Sequence, residues 1–238
     1  MNCLILAAGM NTRLDNGIPK SMIKIGGETL MGRHLRQFSD LGVDNFCVVT
    51  GYRSEMLEEY FEGISEDLRK KITLIHNPDF ERANGISLHK GKEWAMETEA
   101  TKFFYTMADH YFSPDFMTES KTHYSDDEDL ILIVDRPGKW NQHIDLADVT
   151  KVQNDADRIG KIGKSLTEYD LYDTGLFIAQ QTIFEVLERA FENGGESISD
   201  GVQLLASESR AKIREVTGHF WSDVDTPEDL SMLRGKVS

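Results

Sequence analysis

A chain of 238 residues with 39% hydrophobic content is long enough to bury the core of one large α/β domain or two small ones. Its 26 basic residues against 41 acidic ones give a formal charge of −15, which repels nucleic acid and anionic membrane surfaces, and no basic run overrides that field. No charged n-region precedes the short N-terminal apolar run and no stretch approaches ~18 apolar residues, so the expectation is a cytoplasmic protein with no nucleic-acid partner and no membrane insertion.

In chain order, short apolar runs at 2–8, 45–51, 72–77, 102–109, 129–135 and 175–179 alternate with helical patterns at 30–42, 53–63, 85–97 and 113–123. Runs apolar on both faces suit interior strands covered by helices, and the alternation predicts an open, mostly parallel α/β sheet. The segment 145–169 breaks the pattern and reads as a hairpin, with turn residues at 154–157. A strand near 174–179, helices near 181–192 and 200–208, an edge strand near 212–217 and a last helix from TPEDL complete the chain. There is no internal repeat, low-complexity tract or linker. Cys3 and Cys47 sit singly in apolar runs and read as buried, reduced thiols.

The stretch LAAGMNTRL follows the first strand, where ligands of open α/β sheets settle. Ala7, Ala8 and Gly9 are small and let the backbone approach a ligand closely, and successive N–H groups in a curved loop form an anion-binding concavity. Arg13 and Lys20 add positive charge. Both G-x-G-x-x-G and G-x-x-x-x-G-K-[ST] are absent, which argues against dinucleotide and P-loop folds. Taken bare, the motif reads as readily as a structural loop.

Carboxylates at strand ends suit a divalent cation beside phosphates, and Asp109, Asp223 and Asp225 lie at such ends. Each has a plain alternative: Asp109 as a turn residue, and the stretch 225–228 as a helix N-cap with Pro227 at the first position. Asn84 and Gly85 likewise read as a turn before a helix, Lys151 as a solvated hairpin lysine, and Asp173 to Gly175 as a turn before a strand. Asp135 and Arg136 suit an internal ion pair, and His110 and His123 ordinary surface or supporting positions.

LAAGMNTRL followed by IPKSMIKIGG resembles the nucleotidyltransferase family that makes activated sugars and alcohols from a nucleoside triphosphate and a phosphomonoester. The family's opening pattern is L-A-A-G, a small gap, an arginine and then proline-lysine; Leu6, Ala7, Ala8, Gly9, Arg13, Pro19 and Lys20 match it, with a slightly short gap that implies a compact loop. The resemblance implies a Rossmann-like three-layer fold with a mixed, mostly parallel sheet and a small β-hairpin lobe, in a single domain 1–238 with an acceptor lobe at about 136–172. It also implies Mg2+ on Asp109 and Asp225, with Asp223 as the fallback ligand. Arg13 and Lys20 would then act on the triphosphate and Lys151 on the acceptor phosphate. The nucleotide would lie against the opening loop and Asn84, Gly85 and Ser87, and the acceptor against Asp173, Thr174 and Gly175.

MADHYF, DVTKV with GKIGKSL, YDTGLFI and DVDTPEDL look most like the CTP-dependent inositol-1-phosphate cytidylyltransferase branch. That resemblance implies transfer of a cytidylyl group from CTP to inositol 1-phosphate, giving CDP-inositol and pyrophosphate. The alternatives are a phosphocholine cytidylyltransferase, a sugar-1-phosphate nucleotidyltransferase, a nucleotide-sugar glycosyltransferase and a nucleotide-sensing regulatory protein. Some members of the branch are fused to a membrane-embedded alcohol phosphotransferase. None follows here, so the expectation is that a later step falls to a separate membrane-bound protein.

Overall fold

Along β1 (Asn2–Ala7), Cys3, Ile5 and Ala7 face one side of the sheet and Leu4 and Leu6 the other, and both sets are buried. A strand covered on both faces has no solvated side to make polar, hence its unbroken hydrophobic run. The computed structural model describes residues 1–14 and 17–237. Positions 15 and 16, part of the loop expected to be compact, lie outside the described residues.

After β1 come a small ribbon of β2 (Lys24–Ile25) and β3 (Glu28–Thr29), then α1 (Leu30–Asp40), β4 (Asn45–Thr50), α2 (Ser54–Glu62), α3 (Glu66–Arg69) and β5 (Ile72–His76). The middle of the chain forms α4 (Asn84–Lys90), α5 (Lys92–Glu97), β6 (Lys102–Met107), β7 (His110–Phe112), α6 (Pro114–Lys121) and β8 (Leu130–Asp135). The hairpin β9 (Lys151–Asp155) and β10 (Arg158–Gly163) leads to β11 (Leu171–Gln180), α7 (Thr182–Glu192), α8 (Ile198–Ser207), β12 (Ala211–Glu215), β13 (Trp221–Asp223) and α9 (Pro227–Val237).

Nine strands form one mixed sheet in the order β5-β4-β1-β6-β11-β8-β12-β10-β9. β4, β1 and β6 run parallel, whereas β11 runs antiparallel to both β6 and β8. β11 also pairs with β9 at Leu171↔Val152, so the hairpin end of the sheet curls back onto it. One face packs α1, α2 and α6, and the other α4, α5, α7 and α8, giving the three-layer α/β arrangement. Each fully buried large apolar side chain contributes about 1.5–3 kcal/mol.

Several boundaries differ from the sequence reading. The strand at 72–77 is an edge of the sheet with partly exposed side chains, not an interior strand, because β4 is its one hydrogen-bonded neighbour there. The reverse holds for β12, expected at an edge but lying between β8 and β10. The helical run 85–97 breaks at Gly91, where a Cβ would come within 2.1 Å of Leu4 Cδ1. The hairpin turns on Ala156 and Asp157, with Ala156 in the left-handed region at φ 53°. Cys3 and Cys47 are buried free thiols, and burial pushes both well above the usual thiol range.

Asp135 and Arg136 do not pair with each other. Arg136 reaches Glu215 at 2.7 Å, while Asp135, fully buried at the end of β8, accepts from Trp140 Nε1 at 3.1 Å, Asn141 Nδ2 at 2.7 Å and Trp221 Nε1 at 2.9 Å. This carboxylate ties the loop after β8 to β13. Trp221→Phe keeps an aromatic ring but removes one buried donor and part of the indole's buried volume, and chemical denaturation should show a loss of about 2–4 kcal/mol.

Candidate active site

The two aspartates farthest apart in sequence meet through a short antiparallel ribbon. β13 pairs with β7 in the register Trp221↔Phe112, Ser222↔Tyr111 and Asp223↔His110, and Val224 N–H donates to the Asp109 carbonyl at 3.0 Å. The register leaves Asp109 and Asp225 at adjoining ends of the ribbon. Asp225 is freed for the site by a cap of another residue: Asp229 Oδ2 accepts from Thr226 N and Oγ1, both at 2.8 Å, while Thr226 Oγ1 accepts from Asp229 N at 3.2 Å. The helix-start reading and the site reading of DTPED therefore hold together, on neighbouring residues.

Lys20 stands in a 3-10 turn, Lys20–Met22, directly after Pro19. The segment behind it is anchored by Ile23, Ile25 and Leu30, which pack with Tyr111, Val224 and Leu233. This small core holds the N-terminal loop against the ribbon. The Lys20 ammonium lies 3.1 Å from Asp109 Oδ2 and also pairs with Asp225 Oδ1, whose other oxygen pairs with Arg13.

One ammonium between two carboxylates shifts all three groups. Burial works against the Lys20 charge, but Asp109 and Asp225 outweigh it and raise the lysine well above its ordinary value. Burial also works against charge on Asp109, yet Lys20 and His110 hold it well below the usual carboxylate range. Asp225 stays raised, because burial and the like charge of Asp109 exceed what Lys20 and Arg13 return. Burial, with Asp225 and Asp109 adding to it, pushes Asp223 up to about 6 despite His110.

His110 is not a surface residue: its ring packs inside with Nδ1 2.8 Å from Asp109 Oδ1. Burial opposes its charge, but Asp109 raises its pKa on balance. Gly175 permits this close packing. Its φ of +77° and a Cβ that would fall 2.2 Å from His110 Nε2 leave room only for glycine.

These groups edge a cavity of about 400 Å³. Beside it a small hollow of about 40 Å³ is lined by Leu6, Ala7, Gly9, Lys20, Ala108 and Asp109. A Cβ on Gly9 would meet no atom of the described residues within 4 Å, its chain neighbours aside.

Of the other residues picked from sequence, Asn84, Asp173 and Gly175 line the cavity. Asn84 Oδ1 also accepts from Ile198 N at 2.9 Å. Gly85 is buried where a Cβ would fall 2.4 Å from the Glu196 carbonyl, and the buried Ser87 hydroxyl accepts from Asn77 at 2.9 Å. Thr174 is buried, its hydroxyl donating to the Ile133 carbonyl at 2.7 Å.

Lys151 lies outside the residues lining the cavity. Only 8% exposed, it donates to the Lys164 carbonyl at 2.8 Å and sits over the Tyr169 ring. The sequence reading missed Asp148 and Lys164, which do line the cavity; Asp148 pairs with Arg13 at 2.7 Å and also with Lys164. Both lie inside stretches the sequence singled out, Asp148 opening DVTKV and Lys164 within GKIGKSL, and neither was picked as a site residue there.

Asp148, Asp223 and Asp225 each offer a carboxylate oxygen within 4.8 Å of the others. These three make an all-oxygen, negatively charged donor set of the kind a hard divalent cation takes, whereas Asp109, expected as a ligand, is outside this group and has its oxygens on Lys20 and His110. Among the described residues, no helix is long and apolar enough to cross a membrane.

The chain is 35% identical over 234 residues to a bifunctional IPC transferase and DIPP synthase of Thermococcus kodakarensis, covering 97% of this chain and 49% of that protein. It is 34% identical to the like-named protein of Aquifex aeolicus, covering 97% and 50%. The chain thus spans about half the length of these curated relatives. Among solved structures, the inositol-1-phosphate CTP transferase of T. maritima superimposes with a TM-score of 0.82 at 23% identity, covering 99% of this chain and 95% of that one, which shows a shared fold. The MobA-like NTP transferase domain matches residues 3–206, and the chain belongs to that family.

Proposed function

We propose that the protein transfers a cytidylyl group from CTP to the phosphate of a phosphorylated polyol, inositol 1-phosphate, releasing pyrophosphate. The observation that carries this reading is the convergence of Lys20, Asp109 and Asp225 beside the loop after β1, with Arg13 on the same carboxylate. Relatives named for IPC transfer, and a solved relative described as an inositol-1-phosphate CTP transferase, support the choice of substrates.

In the reaction an oxygen of the acceptor phosphate attacks the α-phosphorus in line, forming one P–O bond as the bond to pyrophosphate breaks. The attacking dianion is already nucleophilic near neutral pH, so the protein needs no general base, and positioning and charge stabilisation are its task. Mg2+ on Asp109 and Asp225, with Asp223 in reserve, would supply a positive centre that neutralises phosphate oxygens. Lys20 and Arg13, now spent on carboxylates, would turn to the triphosphate as it enters. Amides of the Leu6–Gly9 stretch would line the phosphates, and Asn84 would stand on the base side with Gly85 and Ser87 behind it.

On the acceptor side, directly after a lobe of about 136–172, Asp173 and Gly175 would meet the polyol, with Thr174 bracing the strand. Trp221 is the one Phe, Tyr or Trp among the described lining residues, which falls short of an aromatic cage for choline, whereas carboxylates suit hydroxyl groups. The CDP-activated product is the substrate class of an alcohol phosphotransferase, the membrane-bound downstream partner of this proposal.

Four nucleoside triphosphates tested against inositol 1-phosphate, phosphocholine and glucose 1-phosphate, read by pyrophosphate release, should give the fastest turnover with CTP and inositol 1-phosphate. Binding of CTP without pyrophosphate release from any pair would favour a sensing role instead. Lys20→Ala should lower kcat by on the order of 10²-fold, and a kcat within a factor of about three of wild type would remove Lys20 from the reaction.

Asp173 offers a pH test. Burial pushes its carboxyl up to about 6, against one compensating bond from Gly175 N–H at 2.8 Å. Folding therefore favours the neutral form, and this contribution to stability is present below about pH 4 and lost as the pH rises through about 6. Asp173→Asn should melt at a higher temperature than wild type at pH 8 and at the same temperature at pH 3.5, while raising KM for the polyol phosphate. Scanning calorimetry at the two pH values checks the first part and steady-state kinetics the second.

A further inference from the structure

The nine-stranded sheet ends differently on its two sides. At one end β9 turns back and pairs with β11, whereas at the other β5 pairs with β4 and, among the described residues, no strand lies beyond it. Phe46 N–H donates to the Lys71 carbonyl at 2.8 Å and Asn77 N–H to the Thr50 carbonyl at 2.7 Å, so the parallel ladder uses the backbone groups of residues 71, 73, 75 and 77. Those of Ile72, Leu74 and His76 point away from the sheet. Sheet edges are ordinarily blunted by lysine, proline or a bulge. β5, with the sequence ITLIH in an unbroken register against β4, has none of these, and its Leu74 is 37% exposed.

We propose that β5 is the contact through which two copies of this chain associate, the two strands pairing antiparallel about a two-fold axis at Leu74. The outward groups fix that register. With Leu74 opposite Leu74 and Ile72 opposite His76, each N–H of these residues meets a carbonyl of the other copy. Charge selects a second copy over an unrelated strand. Arg69, Lys70 and Lys71 precede β5, and Asp79 and Glu81 follow it, so antiparallel self-pairing sets the basic end of one copy against the acidic end of the other, with Arg69 opposite Asp79. Lys70 and Asp79 have internal partners in Glu66 and Lys90, and pairs this exposed rearrange at little cost. Pro78, which has no N–H, ends the pairing on each side. None of the described residues lining the main cavity belongs to β5, so the site stays open in the dimer. The charge of −15 on each copy opposes association and is screened at ~0.15 M salt. A contact built on a strand of 5 residues covers less than the ~1,200 Å² at which stable complexes begin, so the dimer is reversible, with a dissociation constant on the order of 10 µM.

Sedimentation velocity of the wild-type chain at ~0.15 M salt, from about 1 to about 200 µM, should show monomer passing to dimer as the concentration rises. Leu74→Lys sets two like charges against each other on the axis and should weaken the dimer by about tenfold or more. Arg69→Glu, on the exposed α3, should weaken it by about threefold or more by bringing two acids face to face, and combining it with Asp79→Lys should recover most of that loss. Thermal melts matching wild type show that each variant folds. A wild type that stays monomeric throughout, or a dimer of wild-type strength in folded Leu74→Lys, would overturn the proposal. If Leu74→Lys does not fold, the charge pair decides: no weakening in Arg69→Glu, or no recovery in the double variant, overturns it equally.

Discussion

The arrangement on which the site depends is a single ammonium, that of Lys20, held between the carboxylates of Asp109 and Asp225. Two buried carboxylates so close repel each other, and the cation between them makes their approach tolerable. Three parts of the chain are drawn together by this contact: the loop after β1, the end of β6, and the start of α9. The β7–β13 ribbon sets the register, and the small core around Ile23, Val224 and Leu233 holds the third partner in place.

A ligand-free site of this kind is an array of temporary pairings. Lys20 and Arg13 neutralise Asp225, while Arg13 and Lys164 neutralise Asp148. In a chain with a formal charge of −15, each Arg or Lys that lines the cavity among the described residues is paired with an internal carboxylate. Asp148, Asp223 and Asp225 lie close enough to one another to form an oxygen-rich set of the kind that suits a divalent cation.

The rest of the molecule keeps these charges rigid. Asp135 gathers three donors at the end of β8 and secures β13 through Trp221, the strand that leads to Asp223 and Asp225. Gly175 lets β11 pass against His110, and His110 in turn holds Asp109. These contacts set where Asp109, Asp223 and Asp225 stand.

The amino-acid sequence by itself determined the strands and helices, since unbroken apolar runs and helical spacing are local properties: β1, β4, β6 and β8 fall where the runs predict, and α1, α7 and α9 where spacing and caps do. It also carried Leu6 to Gly9, Arg13, Lys20, Asp109 and Asp225 as a motif. Charge roles that depend on facing another part of the chain were not legible. Whether β5 or β12 forms an edge depends on which strand pairs beside it. Lys151 and Lys164 look alike as hairpin lysines, and only the curl of β9 against β11 buries one ammonium and leaves the other open to the cavity. Burial and pairing are properties of three-dimensional neighbours, so tertiary structure alone decided which lysine faces the cavity and which carboxylate stands between Arg13 and Lys164.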